Sequence, residues 1–362
     1  MIIAYIILIF TAIQLIVSLA NLLAETTLPE TNKSHSCLVS VLIPARNEEQ
    51  NIGSLLEDLV HQDYKNIEIV VYDDQSEDKT AKLVDEYSKY DSRIRMIGTG
   101  TLPEGWLGKN YACHSLAKEA KGSFLLFLDA DVRVSGNLIA RSISYSEKHD
   151  LRLISIFPKQ IIESTGERIT VPNMNYILLS LLPLALVRRL SYPSLSAANG
   201  QFMFFRSEDY NAIKPHEAVR ADKVEDISIA RMFKRRGLKT ACMLGDDTIT
   251  CRMYRGFSEA LKGFSKNVTA FFGNSFTAAL IFWIVTTFGI LAVAGCGSGI
   301  VIAAYIAAYV LTRIFISAAS RQNMFFNLLY IIPLQVSMGL FILTAFINRK
   351  FRKFEWKGRK IG

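Results

Sequence analysis

The chain has 362 residues, a formal net charge of +8 and a composition that is half hydrophobic. Its apolar residues crowd the two ends, a pattern that suits an anionic membrane surface. It shows no zinc-finger spacing, heptad-backed basic helix or RNA-binding aromatic motif, which excludes nucleic acid as the expected partner. The five cysteines (Cys37, Cys113, Cys242, Cys251 and Cys296) are scattered without a Cys-x-x-Cys pair. That excludes a disulfide framework and a zinc centre and implies a reducing compartment.

Residues 1–23 carry no charge and are long enough to cross a bilayer. The triplet Ser18-Leu19-Ala20 also admits a cleaved signal peptide. However, no basic start precedes the apolar stretch, and the stretch is longer than a signal core, so an uncleaved anchor over 1–24 is expected. Residues 38–43 are a β-branched apolar run ending at Pro44, which reads as a fully buried strand. Asn47 or a close neighbour caps a helix running to Leu59. A second strand over 67–72 stops at Asp73-Asp74. Ser76 is expected to cap a helix over 76–90 whose Lys79, Lys82 and Asp85 face water. A short strand at 93–97 and a helix at 112–120 lead to an apolar strand, 124–128, that delivers Asp129-Ala130-Asp131.

The apolar stretch 171–190, broken by Pro172 and Pro183 and holding Arg188-Arg189, reads either as an amphipathic segment lying on a membrane or as a buried core helix. In 224–237, Ile227, Ala230, Met232 and Phe233 make one apolar helical face. Glu225 and Asp226 stand at its start, where the helix dipole favours negative charge. Three further apolar stretches follow at 276–294, 298–319 and 324–347, and Arg313 in the second must face other helices or snorkel to an interface. The tail 348–360 is strongly basic. Three full spans after a cytoplasmic domain would export that tail, against the positive-inside rule. A re-entrant hairpin near Pro333 or in the Gly-rich joint 295–299 would remove the conflict.

Strands alternating with helices imply an α/β fold, a doubly wound and mostly parallel sheet. Three successive strands then end in polar clusters: Pro44-Ala45-Arg46-Asn47-Glu48, Asp73-Asp74, and Asp129-Ala130-Asp131. Ligands bind at the carboxyl edge of such sheets. An isolated Asp-x-Asp fits a solvated turn as well as a metal site. At a strand end its hard oxygens suit Mg²⁺ or Mn²⁺, which can hold a diphosphate. No Gly-x-Gly-x-x-Gly or Walker loop follows the first strand, which disfavours a dinucleotide dehydrogenase or a P-loop enzyme.

The segments Val41-Leu-Ile-Pro-Ala-Arg-Asn-Glu-Glu49, Val71-Tyr-Asp-Asp-Gln-Ser-Glu-Asp-Lys-Thr80 and Leu128-Asp-Ala-Asp131 resemble family 2 glycosyltransferases of the GT-A fold. Gly105-Trp-Leu-Gly-Lys-Asn-Tyr-Ala112 and Glu355-Trp-Lys-Gly-Arg359 resemble the membrane-bound subgroup that includes carotenoid (diaponeurosporenoate) and hopanoid-associated glycosyltransferases. The resemblance implies a GT-A domain over 36–270, transmembrane or re-entrant helices over 275–348 and a basic cytoplasmic tail over 349–362. It implies a multi-pass protein of the cytoplasmic membrane with its catalytic domain in the cytoplasm. It also implies inverting transfer of one sugar from a nucleotide-sugar, commonly a uridine diphosphate hexose, to a lipid-soluble acceptor.

Carried over by position, Pro44, Arg46 and Glu48 line the nucleotide pocket. Asp73 or Asp74 contacts the base or ribose, with Asp73 alternatively a turn cap. Lys109 lies near the diphosphate or base, or is a plain surface lysine. Asp129 contacts the donor, and Asp129 and Asp131 hold the metal. Asp226 of the Glu225-Asp226 pair is the catalytic base, unless the pair merely caps its helix. Gly200 and Glu225 fall on the acceptor side, where Gly200 permits a close approach or simply makes a turn. Arg252 and Arg255 pair with diphosphate or with lipid headgroups. Processive relatives carry Gln-x-x-Arg-Trp where this chain has Arg252-Met-Tyr-Arg255-Gly256, a departure that favours single transfer over a processive polysaccharide synthase. A non-catalytic membrane scaffold is the remaining alternative.

Overall fold

The structure is a computed structural model that describes residues 1–98, 100–351, 355–356 and 359–360. The chain divides into two compact units. A sheet unit comprises residues 25–159 and 186–251, and a helical unit comprises residues 1–24, 160–185 and 252–362.

The sheet unit is built on a seven-stranded sheet. Its spatial order is Ile94–Ile97, Ile67–Asp73, Val39–Ala45, Phe124–Leu128, Phe202–Arg206, Leu153–Phe157 and Thr240–Leu244. Paired strands run parallel except Phe202–Arg206, which is antiparallel to both its neighbours. The strands are mostly apolar because both faces are covered. In the first strand, Val39, Val41 and Ile43 enter one core with Leu55 and Leu56, while Leu42 enters the opposite core with Leu116 and Val70. Register across the antiparallel joint sets Phe124 opposite Arg206 and Leu126 opposite Phe204. The rings of Phe124 and Phe204 stack at 4.9 Å.

The expected strands at 38–43, 67–72, 93–97 and 124–128 are present, extended or trimmed by a residue or two. Helix starts differ from expectation. The second helix begins at Ile52, not at Asn47, because Asn47 adopts a left-handed φ of 51° and ties two strand ends together. Its N–H donates to Ser76 Oγ at 3.0 Å and its Oδ1 accepts the Glu77 N–H at 2.9 Å. Ser76 is thereby drawn off as a cap, and its helix starts only at Thr80. Lys79, Lys82 and Asp85 are exposed as expected. The helix expected at 112–120 begins earlier and spans Gly108–Glu119, which puts Lys109 on its first turn.

In the helical unit, four helices among the described residues are long and apolar enough to cross a membrane: Ile2–Leu23, Phe276–Ala294, Gly299–Ala319 and Ile331–Arg349. The first helix buries Thr11, Gln14, Ser18 and Asn21 along one stripe and exposes Ile6, Ile9, Ile13 and Ile16. That pattern inverts a water-soluble helix and suits lipid on the outside. Asn21 Nδ2 donates to the carbonyls of Leu179 and Leu182 at 3.0 and 2.9 Å, and its Oδ1 accepts the Leu184 N–H at 2.8 Å. The helix Pro172–Leu181 that it caps is buried from Pro172 to Ser180, so this part of 171–190 is a core helix and not an amphipathic segment on a membrane surface.

Arg313 is 3% exposed and stacks over the Tyr176 ring at 3.5 Å, so it faces other helices and does not snorkel. The third carboxyl-terminal stretch breaks at Tyr330 into a short helix, Met324–Leu329, and a long one. Each of the three stretches therefore provides a helix of spanning length. Half of the basic tail 349–362 lies outside the described residues.

Candidate active site

The strand Phe124–Leu128 runs apolar and buried to the sheet edge and releases Asp129 and Asp131 there. Next to it, the antiparallel strand begins at Phe202, so Asn199-Gly200-Gln201 lies at that same edge. The Asp129 N–H donates to the Gln201 carbonyl at 3.2 Å, which extends the pairing by one rung. The helix Glu225–Arg235 buries Ile229, Ala230 and Phe233 in the sheet core and carries Glu225 and Asp226 on its first turn.

These elements meet at Gly200-Gln201. Asp226 Oδ2 accepts the Gly200 N–H at 2.9 Å, and its Oδ1 accepts the Ile227 N–H at 2.7 Å. One residue further on, Gln201 Nε2 donates to both oxygens of Asp131 at 3.3 Å and to Cys251 Sγ at 2.9 Å. Lys109 Nζ lies 2.8 and 2.9 Å from the two oxygens of Asp129 and 3.2 Å from Glu225 Oε1. Acids almost one hundred residues apart in sequence thus share one lysine and the dipeptide Gly200-Gln201, through the Gly200 N–H and the Gln201 side-chain amide. A Cβ on Gly200 would sit 3.0 Å from Lys109 Nζ and 3.2 Å from Glu225 Oε1. Gly200 is therefore required for a close approach, not for a left-handed turn, since it is absent from the positive-φ glycines.

The electrostatics follow from burial and neighbours. Burial and the charge of Glu225 push the Asp226 carboxyl up to about 7, against the Ile227 and Gly200 N–H groups and Lys109. Burial, Asp129 and Glu48 likewise push Asp131 up to about 7, against the Gln201 amide and Lys109. Burial pulls the Lys109 ammonium down, but Asp129 and Glu225 outweigh it and hold Lys109 well above the ordinary lysine value. Lys109 is thus a fixed cation and not a plain surface lysine.

The crowding of Asp129, Glu48 and Asp131 is the condition a divalent cation relieves. Among the described residues, no three His, Cys, Asp or Glu side chains could hold a metal on their own. Two carboxylates completed by diphosphate oxygens and water form the usual Mg²⁺ arrangement, so this donor set fits. The hard oxygens suit Mg²⁺ or Mn²⁺ better than a soft metal.

The residues expected on the nucleotide side form a second cluster at the neighbouring strand ends. Arg46 is buried, and its Nη1 donates to the carbonyls of Asp74 and Gln75 at 2.6 and 3.2 Å. Glu48 accepts from Asn51 Nδ2 at 2.8 Å. Asp73 accepts the Ser76 N–H at 3.3 Å, which is the turn-cap role. Pro44 pairs in register with Tyr72. The Tyr72 and Tyr111 rings lie 6.1 Å apart, and Tyr111 meets Trp106 at 5.4 Å.

Arg252 and Arg255 belong to the helical unit. The Arg252 guanidinium is held there by Glu163 and by Glu167 at 2.9 Å. Against burial, that guanidinium and the Glu163 and Ser164 bonds hold Glu167 down at about 2. Two residues were missed by sequence reasoning, Gln201 and Cys251. Gln201 directly follows Gly200, but its burial and its partner Asp131 come only from folding, so the sequence carried no signal for it. Cys251 offered none.

Residues 40–214 match the family model described as glycosyl transferase family 2. The chain is 28% identical over 239 residues to a 4,4'-diaponeurosporenoate glycosyltransferase of Staphylococcus haemolyticus, covering 64% of this chain and 60% of that protein. It is 26% identical over 359 residues to the protein of the same name from Staphylococcus aureus strain USA300, covering 91% of this chain and 89% of that one. Among solved structures, the mannosyltransferase PcManGT from Pyrobaculum calidifontis, in complex with GDP-Man and Mn²⁺, superimposes with a TM-score of 0.59. That match has 15% identity and covers 96% of this chain and 99% of the other, a likeness of fold.

Proposed function

We propose that this chain, whose residues 40–214 match the glycosyl transferase family 2 model, is a glycosyltransferase that moves one hexose from a nucleotide-sugar to a lipid-soluble acceptor. The observation that carries this reading is the Gly200-Gln201 dipeptide, which bonds Asp226 on one side and Asp131 on the other. Asp226 is the base that takes the proton of an acceptor hydroxyl as its oxygen attacks the anomeric carbon. The two backbone N–H groups on its oxygens fix its direction. Asp129 and Asp131 hold a divalent cation. When bound, that cation supplies charge for the diphosphate leaving group. Lys109 holds Asp129 and Glu225 in place and adds positive charge beside the donor. Arg46, Glu48, Asp73 and Asp74 line the nucleotide side, with Tyr72, Tyr111 and Trp106 as the aromatic surface nearby.

Four spanning-length helices support membrane association and hence an acceptor that diffuses in the bilayer. We place the catalytic domain on the cytoplasmic face, where nucleotide-sugars are made. The names of the staphylococcal relatives make a carotenoid carboxylic acid the first acceptor to test, with a uridine diphosphate hexose as first donor. Arg252 carries no role in this proposal because Glu163 and Glu167 occupy it.

The experiment is reconstitution of the full chain in lipid with nucleotide-sugar and acceptor. We expect release of nucleoside diphosphate that stops on chelation, and a product heavier by one hexose. A polymer ladder would show a processive synthase instead. No release across uridine and guanosine donors would show a scaffold.

A further inference from the structure

The side chain of Gln201 is a buried amide, 5% exposed, that lies against one of the two cation-side acids. Asn199 fixes it from behind. The Asn199 N–H donates to Ser155 Oγ at 2.7 Å, and that hydroxyl donates to the Asn199 carbonyl at 3.1 Å. The Asn199 side chain accepts the Gln201 backbone N–H on Oδ1 at 2.9 Å and donates from Nδ2 to Gln201 Oε1 at 3.4 Å. With its oxygen engaged there, the amide turns Nε2 toward Asp131 and Cys251.

The partners dictate that orientation. Two carboxylate oxygens and a sulfur all accept, so a flipped amide would set oxygen against oxygen. A primary amide has two N–H groups, enough for the Asp131 carboxylate at 3.3 Å and Cys251 Sγ at 2.9 Å. Strand register places the sulfur. Ile249–Cys251 pairs antiparallel with Val132–Val134, and Cys251 stands opposite Val132, the residue after Asp131. Cys251 is fully buried there. Asp131 has need of such a hold, because Asp129 and Glu48 repel it. A carboxylate repelled by its neighbours swings away unless a donor restrains it. Its two oxygens offer about four acceptor positions, so one amide leaves room for a cation.

We propose that Gln201 is a positioning residue that holds Asp131 ready for the divalent cation, with Cys251 aiming the amide. This rests on the reading of Asp129 and Asp131 as the cation's ligands. Gln201 acts through Asp131 and touches no reacting atom. Side chains that orient a metal's ligands are commonly worth about ten- to a hundredfold in metal affinity.

The test uses the full chain in detergent, titrated with Mn²⁺ alone, with the free ion read by electron paramagnetic resonance. The parent should show a site that disappears in Asp129→Asn/Asp131→Asn. Gln201→Met keeps the length and loses the amide, and should weaken that site by about tenfold or more. Cys251→Ala should weaken it by less, and Cys251→Ser, whose hydroxyl still accepts an N–H, should bind as the parent does. Saturating Mn²⁺ should return transfer by Gln201→Met to the parent rate, since only the cation's hold is impaired. A parent without that aspartate-dependent site overturns the active-site reading and this proposal with it. A parent that has the site, and a Gln201→Met that binds Mn²⁺ as tightly, overturns the proposal alone. So does a Gln201→Met rate that stays low at saturation, which would mean a structural role. Where Gln201→Met fails to fold, Cys251→Ala decides, and parent-like affinity there overturns the proposal.

Discussion

A methyl group added at Gly200 would sit 3.0 Å from the Lys109 ammonium and 3.2 Å from Glu225 Oε1, both at the ends of flexible side chains. Such ends shift by tenths of an ångström at little energetic cost, so Gly200→Ala should fold normally. It should still displace the lysine that holds Asp129, and transfer should fall about tenfold, a small positional loss by enzyme standards. Thermal unfolding and initial rates on the same preparation check this; an unchanged rate would separate Gly200 from the chemistry. Asp226 has a clear pH consequence. Its carboxyl is pushed up to about 7 by burial and Glu225, and a base must be ionised to act. With cation saturating, which keeps Asp131 ionised, transfer to a hydroxyl acceptor should therefore be weak at pH 6 and rise through about pH 7, and the slope should vanish in Asp226→Asn. A carboxylic-acid acceptor is already ionised at neutral pH, so its profile should be flatter and its loss in Asp226→Asn smaller. Identical profiles for the two acceptor types would contradict the base assignment.

At the scale of elements, two helical contacts make opposite predictions about charge and capping. Asn21 satisfies two carbonyls and one N–H at the end of Pro172–Leu181. Asn21→Leu leaves those buried groups unpaired and should lower stability by about 2 kcal/mol or more, read by thermal unfolding in detergent. Arg313 stacks on Tyr176 and donates to the Tyr309 hydroxyl at 3.1 Å. Removing one partner of a buried charge is worse than removing the charge itself. Tyr176→Leu should therefore destabilise more than Arg313→Met, and the reverse order would contradict the packing described. Elements also show which parts of the fold were legible. Strands such as Val39–Ala45 announce themselves because both sheet faces demand apolar residues. Helix starts do not, because Asn47 and Ser76 look like caps in one dimension yet bond each other across two strand ends. The helix Pro172–Leu181 stayed ambiguous because burial inside a bundle and burial in lipid select the same apolar residues.

Across the whole molecule, the site was legible wherever a strand end carried an acid, as at Asp73, Asp129 and Asp131. Asp226 was legible from the Glu225-Asp226 pair of the resembled family, although an acidic first turn alone fits capping equally well. Gln201 was not, because an amide gains its role only from the partners that folding brings, here Asp131 and Cys251. Arg252 was misleading for the same reason. Its partners Glu163 and Glu167 stand more than eighty residues earlier, and nothing local reveals them. The proposed division of labour across the sheet edge, donor held by Asp129 and Asp131 and proton taken by Asp226, is most directly tested by measuring donor binding and turnover together. The account predicts that Asp226→Asn binds nucleotide-sugar and cation as the parent does while transfer to a hydroxyl acceptor falls by at least about a hundredfold. Asp129→Asn/Asp131→Asn should lose donor binding itself. Undiminished turnover in Asp226→Asn, or full donor binding without Asp129 and Asp131, would contradict it.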